Sequence, residues 1–420
     1  MKKLLFLGCI FLIIIGLSTD VYASATVGAR IGNKYFDTLE EAVSAASSTD
    51  IIMLASNMTL DETLEIKKNV NIDLNNHNIS GEEKVFLIQG GSLNLSGTGK
   101  IIETKPNYGA ITLIGSSDPS KKDFSTVSVG SGVTLEGWSG IFIAHNNNKS
   151  YGVLVNMNGT INALDDINGG PGAGIYVNGN IKHKDNSPII NLGKTSKITS
   201  TGNGIYSAGF ATYNINGAYI SGIESGLGIK AGVFNIIDGT IIGTGEDKTP
   251  TSGNNNGINA SGTAIQIESN KGYSGNIGLT IKNGTIESRH SNVIYEYIVN
   301  KANTQVKDIS ISGGRFVSNV GKPVLSLSDS FTSTHQGFIT GGQFSSNPDS
   351  FLKAGYSTYV NENSLYEVIS STMNVFGDSG GVINNPISII LIILLIGGLG
   401  ITVYLNSSKI LDFINTKIKR

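Results

Sequence analysis

Gly172-Ala173-Gly174-Ile175-Tyr176 and Gly202-Asn203-Gly204-Ile205-Tyr206 lie 30 residues apart and read as two copies of one unit: small residues, an aliphatic, then an aromatic. The unit returns at Tyr108-Gly109-Ala110-Ile111, Ser139-Gly140-Ile141, Gly226-Leu227-Gly228-Ile229, Gly262-Thr263-Ala264-Ile265, Ser291-Asn292-Val293-Ile294 and Gly321-Lys322-Pro323-Val324. Its aliphatics are 24 to 36 residues apart. A second unit runs out of phase with the first, at Asn214-Ile215-Asn216-Gly217-Ala218, Asn235-Ile236-Ile237-Asp238-Gly239, Thr280-Ile281-Lys282-Asn283-Gly284, Ser310-Ile311-Ser312-Gly313-Gly314 and Phe338-Ile339-Thr340-Gly341-Gly342. Two independent markers with one period near 30 residues call for a repeat architecture.

Around the markers the pattern is strict alternation, as in Val70-Asn71-Ile72-Asp73-Leu74 and Leu279-Thr280-Ile281, broken by Gly, Asn and Ser. Alternation sends one set of side chains inward and the other outward. Several short strands per repeat, with almost no helical stretch for a crossover, predict coils of β-structure stacked so that each completes its hydrogen bonds through its neighbours. A leucine-rich solenoid needs a leucine framework that is absent, and a propeller needs ~40–50 residues per blade. The exposed N-terminal end of such a stack needs a cover. Thr38-Leu39-Glu40-Glu41-Ala42-Val43-Ser44-Ala45-Ala46 supplies an N-cap threonine, acids in the first turn and one apolar face, so it predicts a capping helix.

The two ends of this region carry a resemblance. Tyr35-Phe36-Asp37-Thr38-Leu39-Glu40-Glu41-Ala42-Val43, Ile51-Ile52-Met53-Leu54 and Val70-Asn71-Ile72-Asp73-Leu74-Asn75 resemble the opening of pectate-lyase-like right-handed parallel β-helix proteins exported by Gram-positive bacteria. Gly341-Gly342-Gln343-Phe344-Ser345-Ser346-Asn347-Pro348, Ala354-Gly355-Tyr356 and Tyr366-Glu367-Val368 are similar to the closing coil of the same surface proteins. The resemblance implies an all-β fold, a right-handed single-stranded parallel β-helix. It implies no single function, because that family mixes adhesins, envelope proteins and polysaccharide-degrading enzymes.

Composition agrees with a solenoid. Glycine is 54 of 420 residues and charged residues are 15 %, against averages of about 7 % and 25 %. A net charge of −2 leaves no basic surface, which argues against nucleic-acid binding. The single cysteine, Cys9, falls in the leader. Residues 1–25 join Lys2-Lys3, an apolar run and Ala23-Ser24-Ala25, the pattern of a secretory signal peptide. The further reading is a cap over 26–49, the β-helix over 50–369 and a linker over 370–386. An apolar run at 387–405 then reads as a transmembrane helix, with a basic cytoplasmic tail at 406–420. The expected partner is therefore the cytoplasmic membrane, with the β-helix outside the cell. Asn385-Pro386-Ile387-Ser388-Ile389 stands where a cell-wall sorting pentapeptide would, but it lacks the threonine and glycine of the cut site, so retention in the membrane is expected.

No catalytic constellation is recognisable. The ectodomain has three arginines, Arg30, Arg289 and Arg315, and the sequence places none of them beside clustered carboxylates. No histidine stands between two glycines. Asp165, Asp166 and Asn168 ahead of Gly169-Gly170-Pro171-Gly172 have the composition of a calcium loop but the spacing of a solvated turn. His145-Asn146-Asn147-Asn148-Lys149 reads as a polar loop. Asparagines at turns are expected to stack into ladders between coils. No metal or other cofactor is called for. One pattern does point to a ligand: Phe142, Tyr176, Tyr206 and, further on, Tyr295 follow the recurring aliphatic and should project outward as a stripe. Such a stripe is either a ladder of mutually stabilising rings or a face for sugar rings or a protein partner's apolar edge. The functional expectation is binding, adhesion or envelope scaffolding towards carbohydrate or protein, with a polysaccharide-active enzyme as the alternative.

Overall fold

The computed structural model describes residues 27–248, 261–299 and 302–371. Strand Ala173–Val177 is followed by Ile189–Leu192 and Lys197–Ser200, and the chain then climbs one layer to Asn203–Ser207. Each of these strands pairs in parallel with its counterpart in the next coil, in the registers Ile175↔Ile205, Leu192↔Ile215 and Ile198↔Ile220. The chain is therefore a parallel β-solenoid with three strand faces per coil. One face is a ten-stranded sheet running from Leu64–Ile66 to Leu325–Ser326. The other two faces belong to one 23-stranded sheet, because in two coils they fuse into the bent strands Thr212–Gly222 and Ala231–Gly243.

Alternation explains the core. Inward residues such as Ile141, Ile175, Ile198, Ile205 and Ile220 form a single apolar cluster that runs the length of the stack. Two ring pairs stack inside it, Tyr213 on Phe234 at 4.2 Å and Phe316 on Phe344 at 4.7 Å. The glycine of the first marker is a packing requirement: a Cβ on Gly174 would lie 2.2 Å from the Ile198 Cγ2 of the facing wall. The second marker is in register throughout, Ile215↔Ile236↔Ile281↔Ile311↔Ile339.

The first marker slips twice: by one residue at the far end, where Ile294 pairs with Leu325 rather than Val324, and by two in the middle of the stack. Ile205 pairs with Leu227, and Leu227 with Ile265, so Ile229 is not the counterpart the spacing predicts. The coil that starts at Leu227 is then 38 residues long and the one before it 22, rather than 36 and 24. The asparagine ladder also differs from expectation. Asn156, Asn191, Asn214 and Asn235 lie within strands, and the Nδ2 of each of the last three donates to the Oδ1 of the asparagine one coil earlier, at 2.9, 2.9 and 3.0 Å. A strand position repeats at the coil spacing of ~4.8 Å, which an amide can bridge, whereas turns of variable length do not repeat so evenly.

Both ends are covered. Helix Leu39–Ala45 starts at Thr38, whose hydroxyl accepts from the Glu41 N–H at 3.2 Å, and it buries Leu39, Ala42 and Val43. It sits beside the antiparallel pair Ala29–Ile31 and Lys34–Phe36. At the other end the antiparallel strands Tyr356–Val360 and Tyr366–Ser370 close over Gly342–Phe344. Among the described residues no helix is long and apolar enough to cross a membrane. The signal peptide over 1–25, the run at 387–405, the tail at 406–420 and Asn385-Pro386 lie outside the described residues, as does nearly all of the linker.

Candidate ligand-binding groove

The aromatic residues singled out in the sequence are only partly brought together. Phe142, Tyr176 and Tyr206 pair in register on successive strands of the ten-stranded sheet. Their rings stack at 4.9 and 4.7 Å. Trp138 joins the near end, 5.3 Å from Tyr176 and 6.4 Å from Phe142. The column does not continue to Tyr295. Gly228 and Gln266 occupy the intervening positions, and Tyr295 stacks instead on Tyr297 at 6.0 Å. Tyr206 is buried rather than exterior, beneath Tyr273 and Lys230. Burial holds the Tyr176 phenol up at about 12 and raises Tyr206 further.

Stacking decides what the column offers. Rings piled along the solenoid axis cover one another's faces and turn their edges outward, and it is the faces that a sugar ring needs. A column stacked in this way braces successive coils, each ring pair contributing ~0.5–1.5 kcal/mol beyond its buried area.

Glu103 anchors the near end. Its carboxylate is buried and accepts from the N–H groups of Asn107, Tyr108 and Trp138 at 3.1, 2.8 and 3.0 Å. Burial raises its pKa even though the three N–H donors oppose the shift. A raised carboxyl pKa means that the folded state holds its proton to higher pH than the unfolded chain, so this stabilisation is complete below the ordinary value of 4.5 and fades as pH rises through the shifted one. Denaturation of wild type and Glu103→Gln across that window should show the wild-type advantage shrinking with rising pH; a constant difference would refute the assignment.

The second marker builds a different site. Gly239, Gly284, Gly314 and Gly342 form a column at the corner between the two faces of the long sheet, all with positive φ. With no side chains there, the corner is a groove of about 580 Å³ floored by backbone. Asp238 and Asn283, which precede two of the glycines, line one side, and the Asn283 Nδ2 donates to the Asp238 carboxylate at 3.3 Å. Thr240, Thr285, Arg315 and Gln343 follow the glycines and line the other side in one register, Thr240↔Thr285↔Arg315↔Gln343. The returning strand Tyr366–Ser370 adds Glu367 opposite Gln343. The Glu367 Oε2 accepts from Gln343 Nε2 at 3.2 Å and from Asn361 Nδ2 at 3.1 Å, which fixes its orientation.

Arg315 therefore shares a groove with two carboxylates, a convergence the sequence did not show. The aspartate before Gly239 and the asparagine before Gly284 were legible, but Glu367 arrives only through the antiparallel closing hairpin. The other sequence candidates are local turns. Asp166 Oδ1 accepts from the N–H groups of Asn168 and Gly170 at 2.7 and 2.9 Å, and His145 Nδ1 accepts from the Asn148 N–H at 3.1 Å. Among the described residues no three His, Cys, Asp or Glu side chains are grouped to hold a metal ion.

Compared with protein-family models, with curated proteins and with solved structures, the chain matches none.

Proposed function

We propose that this chain is an exported binding protein. In this reading a C-terminal apolar segment holds it in the cytoplasmic membrane, and its right-handed β-helix holds an extended polar ligand, a glycan, in the glycine-floored groove. One observation carries the reading: along the groove, donors and acceptors repeat with the coils at ~4.8 Å, over a floor cleared of side chains in successive coils. A polymer of hydrogen-bonding units matches such a row better than a compact apolar ligand, which would find little apolar lining. The resemblance to exported β-helix proteins and the leader-like and span-like ends of the sequence support placing the groove outside the cell.

The test is binding of peptidoglycan fragments, chitin oligosaccharides and polygalacturonate to the full-length protein in detergent. Arg315→Ala and Glu367→Gln are each expected to weaken binding of the retained glycan about 10-fold or more, the worth of one charge-assisted contact of ~1.5–3 kcal/mol. Retention unchanged in both variants would sink the groove reading.

The groove does not favour the glycosidase alternative. Asp238 and Glu367 are separated by at least three strand steps, ~14 Å or more, whereas a carboxylate pair working across one glycosidic bond stands ~5–9.5 Å apart.

A further inference from the structure

The outer face of the ten-stranded sheet holds a charged cluster that the groove does not use. Ile229 pairs with Ile267, so Lys230 and Glu268, one residue on, are neighbours on adjacent coils. Both are buried, at 2 % and 1 % side-chain exposure, and the Lys230 Nζ lies 3.1 Å from the Glu268 Oε2. Such burial follows from what lies over them. After strand Thr263–Asn270 the chain turns so that Tyr273 lies over the sheet, and Lys230 sits over the rings of Tyr206 and Tyr273 at 5.2 and 4.7 Å. The Tyr297 hydroxyl donates to the same Glu268 Oε2 at 2.6 Å. The other carboxylate oxygen, Oε1, accepts from Asn270 Nδ2 at 2.7 Å. Asn270 Oδ1 in turn accepts from the Gly272 N–H at 2.8 Å.

One carboxylate thus holds a lysine amine on one oxygen and a carboxamide nitrogen on the other, inside aromatic walls, while a backbone N–H polarises the carboxamide oxygen. We propose that Lys230 and Asn270 become joined by an amide bond that the folded chain makes for itself, with Glu268 as its acid–base group. Each step has its group in place. Glu268 takes one proton from the Lys230 ammonium, which leaves the amine with a lone pair. The Nζ lone pair attacks Asn270 Cγ, and the negative charge that develops on Oδ1 is met by the Gly272 N–H. A second Nζ proton passes through Glu268 to Nδ2. The Cγ–Nδ2 bond then breaks with its electron pair on nitrogen, and ammonia leaves, carrying the remaining proton as ammonium. An ammonium and a carboxamide become an amide and an ammonium ion, and no oxidant or cofactor enters. Holding the reactants in one pocket supplies effective molarities of ~10⁵–10⁸ M, the scale that makes an otherwise very slow acyl exchange accessible.

The position gives the bond a use. It bridges the start and end of the longest coil, the 38 residues from Leu227 to Ile265. With Cys9 the only cysteine, no disulfide can close that coil. The inference is independent of what the groove binds.

The test is tryptic digestion and mass spectrometry of the full-length protein. The expected result is a branched peptide containing Lys230 and Asn270, lighter than its two linear parts by one ammonia, with no cleavage after Lys230. Asn270→Asp is expected to give the same branched peptide with loss of water instead. Lys230→Arg and Glu268→Gln should give only linear peptides. Linear Lys230 and Asn270 peptides from folded wild-type protein would overturn the proposal whatever the variants do. A branched peptide that persists in Glu268→Gln would overturn the role given to Glu268.

Discussion

Replacing Phe234 with alanine is expected to destabilise the solenoid by about 3–5 kcal/mol, the cost of emptying a fully packed aromatic site. Phe234 is fully buried and stacks on Tyr213 across one coil step, at 4.2 Å and 10° between ring planes. Nothing nearby can collapse into the space, because both neighbouring coils are held in register by their strand hydrogen bonds. The partner ring should respond in the opposite sense. The Tyr213 hydroxyl is buried with no well-formed hydrogen bond, only a weak interaction with the Ser207 side chain, and burial raises its pKa. Tyr213→Phe keeps the stack and removes a desolvated polar atom, so it should raise stability by ~1 kcal/mol or more. Urea denaturation of both variants checks the pair. Because each coil contacts only its neighbours, hydrogen exchange should place the Phe234→Ala loss within 203–281 rather than along the whole stack. Equal effects of the two substitutions would mean that the hydroxyl, not the ring, governs this layer.

How far the sequence could be read depended on whether one residue pattern fits one register. The second marker was unambiguous, because a glycine forced into positive φ follows the aliphatic at a corner, and the strand pairs Ile215 to Ile339 accordingly. The first marker allowed a slip of two. Leu227 and Ile229 are both inward positions of one strand, and alternation alone accepts either. Space decides: Gly226, like Gly204, stands where a Cβ would strike an isoleucine of the facing wall, while Gly228 takes the outward place below Tyr206. The aromatic column stops at Tyr206 because the next two positions, Gly228 and Gln266, carry no ring. The buried charges escaped the reading for a different reason. Lys230 and Glu268 occupy outward positions, where a sequence predicts solvent, and only the turn carrying Tyr273 takes them out of it. Arg315 and Glu367 came to line one groove for a similar reason, since the closing hairpin reverses the strand direction that the parallel repeats had established.

The floor of the groove sets up the second large effect. Gly284 has φ +115, and a Cβ built on it would lie 2.6 Å from the carbonyl oxygen of Gly239 in the preceding coil. Alanine there carries both a backbone conformation costly to L-residues, ~1–3 kcal/mol, and a collision with backbone that cannot swing aside as a side chain would. Relief requires the two coils to part or the corner to flatten, and either breaks the parallel pairing Thr240↔Thr285 beside it. Gly284→Ala is therefore expected to cost about 3 kcal/mol or more, and to abolish retention of any glycan that the wild-type groove holds. Gly321 provides the control. It too has positive φ, +69, but nothing lies within 4 Å of an added Cβ, so Gly321→Ala should cost only ~1–2 kcal/mol and leave binding intact. The difference between the two substitutions isolates close approach from backbone conformation. If they cost the same, the glycine column exists for its dihedral angles alone, and the cleared floor would be a by-product of the corner rather than a surface shaped to receive a chain.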